Sequence, residues 1–173
     1  MQSKKIELID AFMVKEFDKE ILVQRYTDFF GKIDICHDLE LSMVEKDANA
    51  IDSFLYLAAV IKYEYEYEYE YEYECIHILN ELILLQWHYK HEDLARLLQR
   101  YKDPSSVDAL YQVSNFELEY LDFDDSYALA VKCIWGLGDI GTSEALDKLK
   151  VLSTSDNEVI KENAINQLKI HSK

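Results

Sequence analysis

Residues 128–152 read ALAVKCIWGLGDIGTSEALDKLKVL, and their apolar spacing and glycines predict two helices joined by a tight turn. Leu129, Cys133, Ile134 and Leu137 recur at the i, i+4, i+5, i+8 spacing that gathers them on one side of a helix. The corner Gly138-Asp139-Ile140-Gly141 is expected to end that helix, with Gly141 adopting the left-handed conformation of a helix C-terminus. Thr142 or Ser143 then offers a hydroxyl to cap a second helix, whose Ala145, Leu146, Leu149 and Leu152 face inward. A third helical pattern follows Ser153-Thr154-Ser155. Two helices and a short turn make a hairpin.

The hairpin pattern recurs along the chain. A shift of 31 residues lays Asp125 on Asp156, Leu129 on Ile160, Cys133 on Ala164, Ile134 on Ile165 and Leu137 on Leu168. A shift of 39 the other way lays Ile134 on Ala95, Leu137 on Leu98, Ser143 on Pro104, Leu146 on Val107 and Leu149 on Leu110. Two-helix units repeating every 30 to 40 residues or so are the mark of a stacked α-solenoid, in which each hairpin buries its face only against its neighbours. The expected architecture is all-α: an α-solenoid of helical hairpins over 76–170, preceded by N-terminal helices in 1–62, within a single domain.

At this point the residues resemble the HEAT repeat in its short bacterial form, related to the phycobilisome-lyase type. The resemblance rests on the Ala-rich start at Ala128, the Leu137-Gly138-Asp139-Ile140-Gly141 corner, the Glu144-Ala145-Leu146 opening of the second helix, and Asp156-Asn157-Glu158-Val159-Ile160-Lys161. The family usually carries a basic residue three before the small one in its first helix; Lys161 fits and Ala130 departs.

Composition bounds the function. Four Gly and one Pro leave few turns, as a helical chain requires, and 49% hydrophobic content supplies a core. Cys36, Cys75 and Cys133 are widely spread, suggest no disulfide framework, and are read as reduced thiols. No signal peptide or membrane span is apparent, so a cytoplasmic protein is expected. The net charge of −16 argues against nucleic acid, because phosphate binding needs clustered Lys and Arg. That charge is unevenly placed: 63–74 holds six Glu, 111–125 holds Glu117, Glu119, Asp122, Asp124 and Asp125, and neither contains a base.

In the N-terminal third, helical spacing runs from Ile6 to Glu20 and from Ile21 to Phe30, where Gly31 stops it. Lys32 to His37 (KIDICH) is taken as a connection. Asp47 is placed to cap a helix containing Ile51, Phe54, Leu55, Leu57, Ala58 and Ile61, and its partner is Ile76 to Trp87. Between them lies YEYEYEYEYEYE (63–74), six Tyr-Glu dipeptides. One reading is an expanded dipeptide at a connection; the other is an adhesive strip, with Tyr for contact area and Glu for charge.

Chemistry-bearing residues are sparse. His88 and His91 have the i, i+3 spacing of metal ligands, yet polar turn residues or partners of a helix C-terminus explain them more simply. Cys133 falls where the repeat wants a small core residue, which makes an inert thiol. The glycines follow a helix, whereas phosphate loops follow a strand. Trp87 and Trp135 are expected in the core. No cofactor, metal or catalytic residue is assigned.

The longer, 39-residue interval reflects an insertion, YQVSNFELEYLDFDD (Tyr111 to Asp125), where aromatic and acidic residues interleave. Its aromatics either fold onto the core or form a binding loop, since repeat-protein insertions collect on one face. Residues 76–170 also resemble bacterial HEAT-repeat immunity proteins of polymorphic or contact-dependent toxin systems. LNELILLQWHYKHEDLARLLQ (79–99), LEYLDFDDSYALAVKCIWGLGDIGT (118–142) and SDNEVIKENAINQLK (155–169) carry that resemblance. It implies a non-enzymatic monomer that binds a basic partner, a nuclease toxin, one to one through Phe116, Glu117, Glu119, Tyr120, Asp122, Asp124 and Asp125. The alternatives are a scaffold or adaptor for complex assembly, and a lyase-like enzyme acting on a chromophore or damaged bases.

Overall fold

The computed structural model describes residues 2–62 and 75–172; the Tyr-Glu run, with both of its readings, lies outside the described residues. Those residues form ten α-helices and two 3-10 turns, with no strand. The chain divides into two compact units, Met1–Cys75 and Ile76–Lys173.

The first unit holds α1 (Gln2–Met13), α2 (Lys19–Phe30), α3 (Ile35–Glu45) and α4 (Ala48–Lys62). The expected helix to Glu20 stops early, because Lys15 turns left-handed at φ 61° and Asp18 caps α2 by accepting from the Ile21 N–H. Gly31 ends α2 at φ 82°, a region that side-chain-bearing residues rarely enter. The KIDICH segment is not a mere connection. Asp34 accepts the His37 N–H at 3.0 Å and starts α3 inside it. Asp47 caps α4 through the Asn49 and Ala50 N–H groups, both at 3.0 Å.

Among the buried apolar residues of this unit sits a charged cluster. Asp38 is 1% exposed; its carboxylate accepts from Lys5 Nζ at 2.7 and 3.0 Å and from the Tyr26 hydroxyl at 2.6 Å. The three residues come from α3, α1 and α2, so one carboxylate ties three helices. Burial and the neighbouring Asp38 push the Tyr26 phenol well above its ordinary range, which keeps it a donor.

The cysteine reading needs correction. Cys36 and Cys75 form a disulfide, with Cα atoms 5.2 Å apart across 39 residues of chain. Sequence spacing does not reveal such a pair, because the start of α3 and the residue after the Tyr-Glu run meet only in the folded unit. Cys133 is the free cysteine, and it is buried.

The second unit holds α5 (Ile76–Leu82), α6 (His91–Tyr101), α7 (Val107–Val113), α8 (Ala128–Ile140), α9 (Ser143–Leu152) and α10 (Glu158–Ile170). Helix α5 is five residues shorter than expected, and turns fill the path to His91. Helix α8 packs against α6 and α10, while α5, α7 and α9 touch in succession. Most residues superposed by the sequence shifts share burial: Leu137 and Leu98, Leu149 and Leu110, and Cys133 and Ala164 are all inaccessible to solvent, while Leu146, Ile165 and Leu168 are half-buried where their counterparts are buried.

The corner ends α8 as expected: the helix runs through Ile140 and closes at Gly141, which is left-handed at φ 64°. Gly138 also lies close beneath the Gln167 side chain of α10. A Cβ there would lie 2.1 Å from Gln167 Oε1 of α10. Thr142 caps α9 by accepting the Ala145 N–H, and Asn157 caps α10 by accepting from Val159 and Ile160.

Two stability outcomes follow from the first unit. Asp38→Ala strands Lys5 as a buried unpaired charge, and urea denaturation should show a loss of about 3 to 5 kcal/mol. Reducing the Cys36–Cys75 bond frees a loop whose closure is worth about 4 kcal/mol in the chain-entropy model, so urea midpoints with and without reductant should separate. Alkylation before and after reduction should label one thiol and then three under denaturing conditions.

Candidate functional site

After α7, the chain takes a path without a long helix from Ser114 to Tyr127, and hydrogen bonds fix each end. The Ser114 hydroxyl donates to the Tyr111 carbonyl at 2.7 Å. Leu118 is buried, and a 3-10 turn follows at Glu119–Leu121. Asp124 then holds the start of α8: Oδ1 accepts the Ser126 N–H at 3.0 Å and the Ser126 hydroxyl, and Oδ2 accepts the Ala128 N–H at 2.7 Å. These bonds favour the ionised carboxylate and lower its pKa, the Ser126 hydroxyl most. Tyr127 carries the chain into α8 with φ 51°.

The seven residues singled out in the sequence therefore divide by role. Phe116, Tyr120 and Asp124 are at least partly committed to the fold. Phe116 meets the His91 ring at 6.5 Å between centroids, and Tyr120 donates its hydroxyl to His91 Nδ1 at 2.8 Å. Glu117, Glu119, Asp122 and Asp125 point into solvent and form no ion pair among the described residues. The two readings of the aromatics are both partly realised, since Phe116 and Tyr120 lean onto the unit while Phe123 is 82% exposed.

Phe123, one of the aromatics that interleave with the acids in the sequence, is joined by two exposed aromatics that the sequence did not point to. Tyr89 is 67% exposed, and its ring stands perpendicular to that of Tyr120 at 5.2 Å. Tyr127 is 45% exposed. Tyr89 comes from the turn before α6, and only the fold brings it beside 119–125. The result is a ledge of four free carboxylates with aromatic rings among them.

Elsewhere in the second unit, many charges are bridged across helices. Lys132 of α8 pairs with Glu92 of α6, and Lys148 of α9 pairs with Asp108 of α7 at 2.8 Å. Asp139 accepts from Gln99 at 2.8 Å and lies 3.7 Å from Lys102. Against that background the ledge stands out as an unneutralised field.

His88 sits in the turn between α5 and α6, where its Nε2 meets the Leu82 carbonyl at the end of α5, and His91 opens α6. Both are fully buried and their rings stack at 4.2 Å. Burial lowers both pKa values, and for His91, with His88 beside it, the value falls to about 4. Among the described residues no group of three or more His, Cys, Asp or Glu could hold a metal ion. Burial raises the Cys133 thiol far above its ordinary range, which leaves it protonated. Trp135, expected in the core, is 48% exposed, and its Nε1–H donates to Asn163 Oδ1 at 3.2 Å. In the first unit a shallow hollow lined by Phe12, Met13, Lys15, Phe17, Asp18 and Tyr56 brings together no buried polar groups.

No family model, curated protein or solved structure matches the chain. No helix among the described residues is long and apolar enough to cross a membrane.

Asp124 is thus a cap within the ledge rather than a free charge. Asp124→Ala should cost about 1 to 2 kcal/mol by thermal or urea unfolding, whereas Asp125→Ala, one residue on, should change stability by less than about 0.5 kcal/mol.

Proposed function

We propose that the chain is a helical-repeat binding protein that neutralises a cognate bacterial toxin, a nuclease, by covering its basic active site. The observation that carries this reading is the ledge at 116–125: four exposed carboxylates, an exposed Phe123, and no base between residues 111 and 125. Negative potential concentrated at one place speeds capture of a cationic cleft, and aromatic side chains supply contact area once the complex forms. A nuclease active site has the matching charge, because it must hold phosphates.

The fold reading that accompanies it is a HEAT-like α-solenoid over the second unit. It is supported by the two rows of helices, α6 with α8 and α10, and α5 with α7 and α9, and by the shared burial of most superposed residues. In that reading 111–125 is an insertion between repeats, and the repeats hold it at both ends.

The alternative, a scaffold or adaptor for assembly, uses the same ledge on a basic partner without an activity to inhibit. The two differ in gene neighbourhood and in whether binding abolishes a reaction. Neither assigns catalysis to this chain. A cytoplasmic placement is expected with reduced thiols, and the Cys36–Cys75 bond argues against it, since such bonds persist in oxidising compartments and are rare in reducing cytosol.

Mixed one to one with the toxin encoded beside its gene, the purified chain should abolish toxin activity and co-elute with it in size exclusion. Glu119→Lys, Asp122→Lys and Asp125→Lys together should slow association by about tenfold or more at low salt, and Phe123→Ala should cost about 1 to 3 kcal/mol of affinity. Absence of a complex would remove the toxin reading; a complex that leaves the toxin active would favour the adaptor.

A further inference from the structure

The sequence WHYKH (87–91) forms the turn between α5 and α6 without a glycine, and it does so with two imidazoles. His88 Nε2 lies 2.8 Å from the Leu82 carbonyl and His91 Nε2 lies 3.0 Å from the Leu85 carbonyl. A carbonyl only accepts, so both rings carry their proton on Nε2. The other nitrogens must then accept: His88 Nδ1 takes the Lys90 N–H at 3.1 Å, and His91 Nδ1 takes the Tyr120 hydroxyl at 2.8 Å. All four nitrogens are engaged, and with both rings neutral every donor in this arrangement meets an acceptor.

Resting on the reading of 116–125 as a binding ledge, we infer that His88 and His91 are positioning residues for that ledge and that acid releases it. Through His91 the turn grips Tyr120 and Phe116, and through Tyr89 it meets the Tyr120 ring again. A proton on His88 Nδ1 would face the Lys90 N–H, donor against donor. A proton on His91 Nδ1 would reverse the Tyr120 bond and leave that hydroxyl hydrogen without its acceptor.

The surroundings offer the charged rings no relief. The charged and titratable groups around the turn are Lys90, Glu92 and Asp93 at the start of α6, Lys132 of α8, and the phenols of Tyr89 and Tyr120. Glu92 is already paired with Lys132, Asp93 lies 3.8 Å from Lys90, and no carboxylate reaches either imidazole among the described residues. The direction in pH follows. Both pKa values are depressed in the fold, so the latch is intact above the ordinary 6.5 and is lost as pH falls through about 4 for His91.

Hydrogen exchange across 116–127, corrected for the intrinsic pH dependence, reads the latch directly. In the wild type, protection there should fall by about tenfold or more between neutral pH and the lower end of that window while α10 stays protected. Tyr120→Phe, which keeps both imidazoles, should already lower protection of 116–127 at neutral pH. His91→Gln, which can still donate to the Leu85 carbonyl and accept from Tyr120, should reduce the acid response to the part that His88 carries. In a Trp135→Phe background, emission from Trp87, whose ring stands perpendicular to His88 at 5.6 Å, should change over the same window.

Protection of 116–127 that is independent of pH, or that is lost in step with α10, would overturn the latch, as would a His91→Gln protein of unchanged acid lability. Polylysine binding compared between wild type and the Glu119→Lys, Asp122→Lys, Asp125→Lys protein separates the two ideas. An equal affinity for both proteins overturns the ledge as a binding surface, whatever the exchange data say of the latch.

Discussion

Helix α8 is packed by neighbours on several sides, and two of its residues lack a side chain where those neighbours come close. At Gly136 a Cβ would stand 3.0 Å from Leu110 Cδ1 of α7, and at Gly138 it would stand 2.1 Å from Gln167 of α10. Glycine within a helix costs about 1 kcal/mol relative to alanine, so two of them there are offset by the contacts that close approach permits. Leu129, Ala130, Cys133, Ile134 and Leu137 fill the remaining buried positions. The second unit depends on this helix, and so does the ledge, whose last hydrogen bonds are made by Asp124 to the start of α8.

Much of that was legible in the residues. Apolar spacing found α8, α9 and α10, and Thr142 and Gly141 fixed the turn between them, because caps and left-handed glycines are local signals. Gly138 has a surrounding that local spacing does not carry: a Cβ there would meet the side chain of Gln167, nearly thirty residues away. The Cys36–Cys75 bond, the burial of His88 and His91, and the arrival of Tyr89 beside Tyr120 were hidden for one reason. Each depends on which distant segments meet, and periodicity does not carry that.

The two units place polar groups inside in different ways. In the first, Asp38 is salt-bridged to Lys5 and accepts from Tyr26, so an ion pair is held inside with its partners in place. In the second, His88 and His91 are kept neutral, their nitrogens matched to two carbonyls, an amide and a phenol. Both arrangements satisfy the rule that buried polar atoms find partners, but they differ in what disturbs them. The ion pair is broken by removing a partner; the imidazoles are broken by adding a proton.

Net charge alone says little about where an acidic protein acts, and the distribution is the informative part. The second unit carries 16 acids against 10 bases, and five of those acids lie in 111–125 with no base among them. Outside that stretch the opposing charges nearly cancel, and several are joined by ion pairs between helices. A field confined to one ledge survives screening at distances near the Debye length of about 8 Å, where a partner chooses its orientation. Phe116 and Tyr120 are also already anchored to His91 before any partner arrives, so less side-chain freedom is left to lose on binding. Charge without cancellation and aromatics without slack occur together at one place in the second unit, and that coincidence is the reason to look for its function there.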